Sequence, residues 1–308
     1  MPNRPKVLLI ETMYHPAGEA LLAEHAEVQI ASGATEEELK AAIADAHAAV
    51  VRYPARLTRE VIRAGRNLLV AASSGRGTDS IDIEEATEQG VAVVNNPGLG
   101  MIPVSEHTVG LILDLAKQIT RDDARVRAGH GWEDRHESSR LELQGRTLGV
   151  IGLGSIGREV ARKCMAAFGM HVIAYDPHIT ADQATSLGVG LVENLADLLQ
   201  ESDVVTCHPE LNAATRGMIG EAELRQMRPD AILVNTSRGP VVQPDALARA
   251  LREGWIRAAA LDVFLVEPPG RDNPLYALDN LILTPHTAGL SADARRELAI
   301  SAATLILQ

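Results

Sequence analysis

The sequence TLGVIGLGSIGREVARKCMAAF at residues 147–168 decides the fold. Its first five residues form an apolar strand, which leads directly into the turn Gly152-Leu153-Gly154-Ser155-Ile156-Gly157 and a helix over 155–168. The first glycine permits a tight turn, the second lets a pyrophosphate approach the backbone, and the third lets the helix pack close to the strand. The helix N-terminus adds N–H groups and the positive end of the helix dipole. The pattern predicts a dinucleotide-binding unit.

A second apolar strand, at 171–175, follows this helix and runs into Asp176. An acidic residue at about this distance from the glycine turn accepts hydrogen bonds from the hydroxyl groups of the adenine ribose. The same carboxylate would repel a 2′-phosphate. Asp176 therefore favours NAD over NADP as the cofactor.

Length, charge and cysteine content bound the class of protein. A chain of 308 residues predicts two domains of ordinary size. The formal net charge of −12 argues against nucleic acid and anionic membranes as partners. Cys164 and Cys207 have no metal-binding spacing, so we expect neither a metal site nor a disulfide. The apolar segment at 6–10 is too short for a signal peptide, and no run is long enough to span a bilayer, so we expect a cytoplasmic location.

Short apolar strands alternate with helical patterns, which predicts parallel sheets. The segment Asn95-Asn96-Pro97-Gly98 interrupts the alternation and is interpreted as a hinge. We predict an α/β fold of two doubly wound parallel-sheet domains, with a Rossmann NAD-binding domain (98–287) inserted into a flavodoxin-like substrate domain (1–97 and 288–308). The predicted strands are 7–10, 28–30, 49–52, 68–72, 91–94, 147–151, 171–175, 189–192, 204–207, 232–235, 258–262 and 281–284, and the predicted helices are 16–26, 36–46, 58–64, 83–89, 104–127, 155–168 and a last one from Ala292.

The helix predicted over 104–127 is apolar on much of its circumference. A helix that is apolar on several sides is buried in a core or at a subunit interface. The apolar residues that carry this prediction are Val109, Leu111, Ile112, Leu113, Leu115 and Ile119.

Three loops that follow predicted strands of the second domain carry polar residues that packing does not require. Ligands bind at such strand ends in open α/β sheets. Arg238 follows one strand, and a guanidinium binds a carboxylate in bidentate fashion. Glu267 precedes two prolines, and His286 follows a strand and a proline, where an imidazole can move protons near neutral pH. Each residue alone also fits a structural or solvated role, but the three in order behind a dinucleotide motif indicate a catalytic set.

With these residues the sequence resembles the D-isomer-specific 2-hydroxyacid dehydrogenase family over nearly its whole length. The resemblance includes the glycine turn with Asp176, the segments at 236–239, 267–268 and 285–286, and the segment at 75–82. The last of these reads GRGTDSID and is similar to the family pattern G-x-G-x-D-N-I-D, with serine in place of asparagine at position 80.

The resemblance implies a catalytic set of Arg238, Glu267 and His286. His286 would exchange a proton with the substrate hydroxyl, and Glu267 would orient the imidazole and stabilise its charged form. Arg238 would hold the substrate carboxylate. The hydride would pass between substrate C2 and C4 of the nicotinamide.

The resemblance also implies the contacts to NAD. Ser155 and Ile156 would lie under the pyrophosphate, and the segment 207–209 would flank the adenosine, although the family usually reads H-x-P where this chain has HPE. Asp262 would meet the nicotinamide carboxamide, with a role as a strand-end cap as the alternative. The expected cofactor contacts are Thr108, Gly152, Gly154, Ser155, Ile156, Gly157, Asp176, Cys207, His208, Pro209, Thr236, Ser237, Asp262, His286 and Gly289.

For the substrate, the first domain would contribute backbone N–H groups from Ser74 to Gly77. Arg52 and Arg76 are two additional cations, and they suggest a second anionic group on the substrate, such as a phosphate, a sulfonate or a carboxylate. The alternative is that one or both arginines face solvent. The expected substrate contacts are Arg52, Ser74, Gly75, Arg76, Gly77, Arg238 and His286.

Residues 104–132 resemble the dimerisation region of the family, which implies a homodimer. Because the sequence ends at Gln308, we do not expect regulation through an appended domain. Formate oxidation is disfavoured, because formate dehydrogenases of the family carry glutamine in place of Glu267. Two alternatives stay open, namely phosphite oxidation and an NAD(H)-sensing binding protein with the same fold.

Overall fold

The chain divides into two compact units in the computed structural model, which describes residues 4–133, 135, 136 and 140–308. Unit 1 consists of Met1–Gly100 and Gly289–Gln308, and unit 2 consists of Met101–Ala288. Unit 2 is therefore an insertion in the sequence of unit 1. The boundaries expected from the sequence are 97/98 and 287/288.

Unit 1 contains a sheet of five parallel strands in the order β2-β1-β3-β4-β5. This is the flavodoxin-like order of a doubly wound fold, so the predicted fold class is confirmed for this unit. Its elements are β1 (Lys6–Leu9), α1 (Pro16–His25), β2 (Glu27–Ile30), α2 (Glu36–Ile43), β3 (Ala48–Val51), α3 (Arg59–Ala64), β4 (Val70–Ser73), α4 (Ile83–Glu88), β5 (Ala92–Val94) and, from the C-terminal segment, α12 (Ala292–Ile306).

The last helix completes the core of unit 1. Ala299, Ala302 and Ala303 on α12 are buried in one cluster with Val7 and Leu9 of β1. The small side chains let the helix lie close to the sheet, which agrees with the predicted return of the chain to the first domain.

Unit 2 contains a sheet of seven parallel strands in the order β12-β11-β10-β9-β6-β7-β8. From β6 outward this is the Rossmann order, so the predicted fold class is confirmed here as well. Its elements are α5 (Met101–Lys117), α6 (Ile119–Arg127), β6 (Thr147–Ile151), α7 (Ser155–Phe168), β7 (His171–Tyr175), α8 (Ala181–Ser186), β8 (Gly190–Leu191), α9 (Leu195–Glu201), β9 (Val204–Cys207), α10 (Glu221–Leu224), β10 (Ile232–Asn235), α11 (Pro244–Glu253), β11 (Ala258–Leu261) and β12 (Leu281–Leu283), with short 3₁₀ turns at Gly239–Val241 and Pro274–Ala277.

The strands of unit 2 end at a common level. Tyr175 is in register with Ile151, Ile151 with Cys207, and Cys207 with Asn235. Asn235 is in turn aligned with Leu261, and Leu261 with Leu283. The next residue of each strand therefore begins a loop at the same edge of the sheet. This edge collects all the segments of unit 2 that follow strands and carry predicted site residues.

The single long helix predicted over 104–127 is wrong. The helix breaks at Gln118, which has a left-handed backbone (φ 60°), and α6 starts at the next residue. Asp114 stabilises the break because its Oδ1 accepts a hydrogen bond from the backbone N of Thr120 at 2.8 Å. All nine residues of α6 are described and none is buried, so only α5 belongs to the core.

The helices α8 to α11 were not predicted. Three of them, α8, α9 and α10, have only six, seven and four residues, whereas α11 has ten residues and a clear apolar face that the sequence analysis missed. None of the described helices is long and apolar enough to cross a membrane. Among the same residues no group of three His, Cys, Asp or Glu side chains is placed to hold a metal ion.

Two of the loops at the sheet edge touch through their backbones. A Cβ at Gly239, directly after Arg238, would overlap with the carbonyl oxygen of Phe264, in the loop that carries Glu267. Glycine is therefore required here by the close approach of the two chains. This contact fixes the distance between the loop of Arg238 and the loop of Glu267.

We predict that Gly239→Ala destabilises the protein by about 1–3 kcal/mol, since the added methyl group forces the two backbones apart. Gly270→Ala is the matched control, because no described atom lies within 4 Å of a Cβ at Gly270 in the same loop region. We expect the control to stay within about 0.5 kcal/mol of the parent in urea unfolding. Equal stability of Gly239→Ala and Gly270→Ala would contradict the contact.

Candidate active site

The glycine turn after β6 has the geometry of a phosphate-binding turn. Gly152 has φ 88°, and a Cβ there would lie 2.9 Å from the carbonyl carbon of His208. A Cβ at Gly157 would overlap with the oxygen of Gly152, so α7 packs directly against the turn. Around Gly154 no described atom lies within 4 Å of a Cβ position. Gly154 is also the N-cap of α7 and makes no side-chain cap. The open space beside the turn therefore lies at the N-terminus of α7.

Asp176 is joined to this turn. Its Oδ2 accepts a hydrogen bond from the backbone N of Leu153 at 2.8 Å, and its Oδ1 accepts one from the N of His178 at 2.9 Å. The carboxylate is half-buried at the end of β7. Its position beside Leu153, in the middle of the glycine turn, is the place where the ribose next to the pyrophosphate is expected.

The segment after β9 differs from the expectation at Cys207. The Cys207 side chain is fully buried in the core on the α9–α11 side of the sheet, and burial raises the pKa of its thiol to about 12. The thiol therefore packs as an apolar group and is turned away from the loops at the sheet edge, whereas the expectation that the segment 207–209 flanks the adenosine stays a prediction. Cys164 is equally buried, and its thiol pKa is also raised to about 12.

His208 is held at the edge by Thr206. Its Nε2 lies 2.9 Å from the Thr206 hydroxyl, and burial lowers the pKa of the imidazole to about 3, so that the ring is neutral at physiological pH. Its Nδ1 is buried and has no hydrogen-bond partner within the described part of the chain. The half-buried Pro209 follows, and this backbone is the one that packs on Gly152.

Thr108 and Thr236 meet in the interior. Their hydroxyl oxygens are 2.9 Å apart, which ties α5 to the loop after β10. In that loop Asn235 is fully buried, and its Oδ1 accepts hydrogen bonds from the Ser237 N (3.0 Å) and hydroxyl (2.8 Å). Asn235 was not predicted, although an asparagine at the end of an apolar strand is a typical turn signal.

Asn235 also shapes the backbone of Arg238. Its Nδ2 donates to the Arg238 carbonyl oxygen at 2.9 Å, and the Arg238 guanidinium donates to the Ser237 carbonyl oxygen at 2.7 Å. The Asp262 N donates to the Asn235 carbonyl oxygen at 3.0 Å. The loops after β10 and β11 are therefore linked at their first residues.

His286 and Glu267 form a hydrogen-bonded pair. His286 Nδ1 lies 2.6 Å from Glu267 Oε2, and Glu267 Oε1 accepts a hydrogen bond from the Phe264 N at 2.8 Å. The Glu267 side chain is 11% exposed and the His286 side chain 37% exposed. Because one carboxylate oxygen is held by the backbone, the other is aimed at the imidazole. The pair can orient a proton-transferring ring.

Asp262 organises the loop that carries His286. It is 1% exposed, and its carboxylate accepts hydrogen bonds from the Thr284 hydroxyl (2.6 Å), the Thr287 N (2.9 Å) and the Ala288 N (2.9 Å). Its carbonyl oxygen accepts the N–H of His286 at 2.8 Å. These contacts support the alternative role of a strand-end cap, whereas the contact with the nicotinamide carboxamide stays a prediction.

His107 was missed from the sequence. It lies on α5 with its Nε2 3.1 Å from the Thr284 hydroxyl and 3.7 Å from Asp262 Oδ1. No local pattern marks it, because its partners are far away in sequence.

In unit 1, Arg52 follows β3 and forms an ion pair with Glu11, which follows the neighbouring strand β1. Its guanidinium also lies 5.1 Å from the centre of the Tyr14 ring and donates to the Thr12 carbonyl oxygen at 3.3 Å. Arg76 is half-buried, and its carbonyl oxygen accepts a hydrogen bond from Asn95 at 2.6 Å. Neither arginine is a fully exposed side chain.

The loop after β4 is held from within unit 1. The Ser74 N donates to the Val51 carbonyl oxygen at 2.9 Å and its hydroxyl donates to the same oxygen at 2.8 Å. The expectation that the Ser74 N–H binds substrate is therefore wrong. The Ser73 hydroxyl donates to the Gly77 carbonyl oxygen at 2.6 Å and accepts weakly from the Gly75 N at 3.4 Å. Gly289 is half-buried in a turn at the start of the C-terminal part of unit 1.

The residues at the edge of unit 2 fit a nicotinamide dinucleotide. The Cβ position of Gly154 opens into space at the N-terminus of the 14-residue helix α7, where a pyrophosphate would be bound. Asp176 lies on one side of this turn in the sheet, and the loops after β10, β11 and β12 lie on the other. Ser155 and Ile156, both half-buried, begin α7 under that space.

Comparisons with known proteins agree with a nicotinamide cofactor. Residues 109–288 match the family described as D-isomer specific 2-hydroxyacid dehydrogenase, NAD binding domain. The D-3-phosphoglycerate dehydrogenase of Methanocaldococcus jannaschii is 44% identical over 291 residues, which are 94% of this chain and 55% of that protein. The hydroxypyruvate reductase of Thermotoga maritima is 39% identical over 283 residues, which are 91% of this chain and 90% of that protein.

The solved structures include the holo form of D-mandelate dehydrogenase from Rhodotorula graminis. It superposes with a TM-score of 0.88 at 28% identity and covers 98% of this chain and 93% of that one. The chain spans about half the length of the D-3-phosphoglycerate dehydrogenases that it matches. The family match covers more than half of the chain and coincides with unit 2, and the chain belongs to the D-isomer-specific 2-hydroxyacid dehydrogenase family.

Proposed function

We propose that the protein transfers a hydride between C4 of the nicotinamide of NAD and C2 of a D-2-hydroxyacid or the corresponding 2-oxoacid. The observation that carries the proposal is the 2.6 Å contact between His286 Nδ1 and Glu267 Oε2. This pair lies in the same unit as the dinucleotide turn and at the same edge of the sheet. A bound nicotinamide dinucleotide supplies the hydride donor or acceptor.

The Glu267 contacts support Nε2 as the nitrogen of His286 that meets the substrate. An ionised Glu267 only accepts hydrogen bonds, so the proton of the 2.6 Å contact belongs to His286 Nδ1. The proton exchanged with the substrate oxygen is then carried by Nε2. Nε2 accepts the hydroxyl proton during oxidation and returns it during reduction. The carboxylate of Glu267 stabilises the imidazolium that forms and keeps the ring in place.

Arg238 is proposed to hold the substrate carboxylate. A guanidinium binds a carboxylate through two parallel hydrogen bonds, which fixes the orientation of the substrate as well as its position. The backbone contact between Gly239 and Phe264 keeps the Arg238 loop beside the Glu267 loop. The substrate carboxylate and the reacting oxygen are then held by two loops of fixed separation.

We predict that His286→Ala lowers kcat about 10²- to 10⁴-fold, since the general acid–base is lost. Binding of NADH, followed by its fluorescence, is expected to be unchanged. His171→Ala is the matched control, because His171 is exposed at the opposite end of its strand, β7. Turnover of His286→Ala at the parent rate would remove His286 from this role.

Asp176 is proposed to give the enzyme its preference for NAD. The carboxylate stands at the end of β7, bonded to the middle of the glycine turn, where it can accept hydrogen bonds from ribose hydroxyls and repel a 2′-phosphate.

We predict that the parent enzyme has a higher kcat/KM with NADH than with NADPH, and that Asp176→Asn moves this ratio toward NADPH. Asparagine keeps an oxygen that can accept the Leu153 N–H but lacks both the charge and the second oxygen, which accepts the His178 N–H. Asp176→Ala should move the ratio in the same direction. A parent enzyme that already prefers NADPH would contradict the assignment.

The proposed substrates include 2-oxoacids with a second anionic group. Two observations support this class, namely the similarity to proteins named D-3-phosphoglycerate dehydrogenase and the half-buried cations Arg52 and Arg76 on unit 1. Glu11 opposes it, since its carboxylate already pairs with Arg52. Hydroxypyruvate, which has a single negative charge, is therefore proposed beside its phosphorylated form.

The proposed assembly is a homodimer through the 104–132 region. Ile119, Val126 and Trp132 are 58%, 62% and 70% exposed, which is unusual for large apolar side chains so close together in sequence. A second copy that covers them would remove this surface from water. The net charge of −12 supports the proposal that neither nucleic acid nor an anionic membrane is a partner. A cytoplasmic location is proposed beside it.

A further inference from the structure

Helix α5 contacts two of the three loops of the candidate active site through consecutive side chains. Thr108 bonds to Thr236 after β10, and His107 bonds to Thr284 after β12. The Thr108 contact involves two buried hydroxyl groups. The His107 contact involves a half-buried titratable side chain that the reaction proposed above does not use.

The directions of the hydrogen bonds among His107, Thr284 and Asp262 follow from the number of protons that these groups can donate. Asp262 is acceptor-only when ionised, so the Thr284 hydroxyl, at 2.6 Å, donates its single proton to Asp262 Oδ1. Thr284 Oγ1 then has only lone pairs to offer to His107 Nε2 at 3.1 Å. His107 must therefore carry a proton on Nε2. The chain of donors runs from His107 through Thr284 to Asp262.

Asp262 is the group that holds His286 in place. Its carboxylate bonds the N–H groups of Thr287 and Ala288, and its carbonyl oxygen bonds the N–H of His286. His286 itself has a left-handed backbone, φ 54°, a conformation that residues other than glycine adopt uncommonly. The bonds to Asp262 stabilise this conformation of the loop.

We propose that His107 is a positioning residue for His286 and acts through Thr284 and Asp262. This inference rests on the proposed role of His286 in proton transfer. The Nε2–H of His107 fixes the Thr284 hydroxyl so that its proton points at Asp262, and the carboxylate then stays aligned with the loop. His107 touches neither His286 nor Glu267 in any hydrogen bond described above.

The tautomer of His107 is the first test and is independent of activity. Long-range ¹H–¹⁵N correlation spectra at a pH of about 8.5, where histidines are mostly neutral, distinguish the two tautomers of each ring. The His107 signals are identified by their absence in His107→Gln. We expect the Nε2–H tautomer. An Nδ1–H tautomer of His107 would overturn the proposal.

The second test compares His107→Met with His107→Gln. Methionine fills similar space without a donor, whereas the glutamine side-chain nitrogen is separated from Cβ by the same number of bonds as His107 Nε2 and can donate to Thr284. We expect the His286 ring signals to move in His107→Met and to stay near the parent positions in His107→Gln. Unmoved His286 signals in His107→Met would sink the proposal whether or not the enzyme turns over a 2-oxoacid.

Kinetics provide the matching readout. His107→Met should lower kcat about 10- to 100-fold, the loss typical of a misplaced catalytic group, with the Kd for NADH unchanged. His107→Gln should keep most of the parent kcat. Equal losses in the two variants would contradict a donor role, since bulk alone would then explain the effect. Thr284→Val and Thr284→Ser form a second pair with the same expectation. Valine lacks the hydroxyl group that connects His107 to Asp262, whereas serine retains it.

Absence of turnover in the parent protein on every 2-oxoacid would count against the proposed function and not against the positioning of His286. The tautomer and the His286 signals decide the latter in that case. His171→Gln, an exposed histidine at the far end of β7, is the control for nonspecific effects of the substitution.

Discussion

The common level at which the strands of unit 2 end is the constraint on which the candidate site depends. Parallel pairing fixes this level, because β6, β7, β9, β10, β11 and β12 are hydrogen-bonded in a register that aligns their last residues. Buried apolar clusters on the two faces of the sheet prevent the strands from sliding, since a shift by one residue would move side chains such as Leu148 and Leu233 to the opposite face and disrupt the packing of both clusters. Each loop therefore starts from a rigid point, and only its own few residues remain to be positioned.

Those residues are positioned by buried polar groups that accept several hydrogen bonds each. Asn235 shapes the Arg238 loop, and Asp262 holds the His286 loop. A carboxylate buried without partners is unfavourable by several kcal/mol, but the Asp262 carboxylate accepts three hydrogen bonds, one from a hydroxyl group and two from backbone N–H groups, that offset this cost. The left-handed backbone of His286 is unfavourable by on the order of 1–2 kcal/mol, and the bonds from its loop to Asp262 stabilise it. Removal of the Asp262 carboxylate would remove the bonds from Thr287 and Ala288 and leave the left-handed backbone of His286 with less support.

The sequence was sufficient to predict the bounds of elements in which an apolar run ends at a glycine or at a polar residue. The strands β6, β7, β9 and β10 and the helix α7 have the predicted bounds, because each is an apolar or amphipathic run that ends at such a break. The helix break at Gln118 was not predictable, since no glycine or proline marks it and the stabilising bond comes from Asp114. The strand that ends at Cys207 was identified, but the side of the sheet that its thiol faces was not.

The candidate site also contains residues that the sequence marks and residues that it does not. The types of residue at strand ends indicated Arg238, Glu267 and His286, since each stands where packing gives no reason for a charged or polar group. Of the residues that hold them, Asn235 carries a local turn signal, because its partners Ser237 and Arg238 are two and three residues away. His107 and Thr284 carry no such signal, because they become neighbours only after the sheet has formed. Ser74 was misassigned for a related reason, since the backbone acceptor at Val51 that takes its N–H belongs to another strand.

The transfer of a labelled hydride tests the central claim most directly. The protein would be incubated with NADH carrying deuterium at C4 of the nicotinamide and with hydroxypyruvate, phosphohydroxypyruvate or pyruvate. The products would be examined by mass spectrometry and chiral chromatography. The account predicts deuterium at C2 of a 2-hydroxyacid of the D configuration. Binding of NADH without labelled product from any 2-oxoacid would contradict it and would indicate a protein that senses the cofactor without using it.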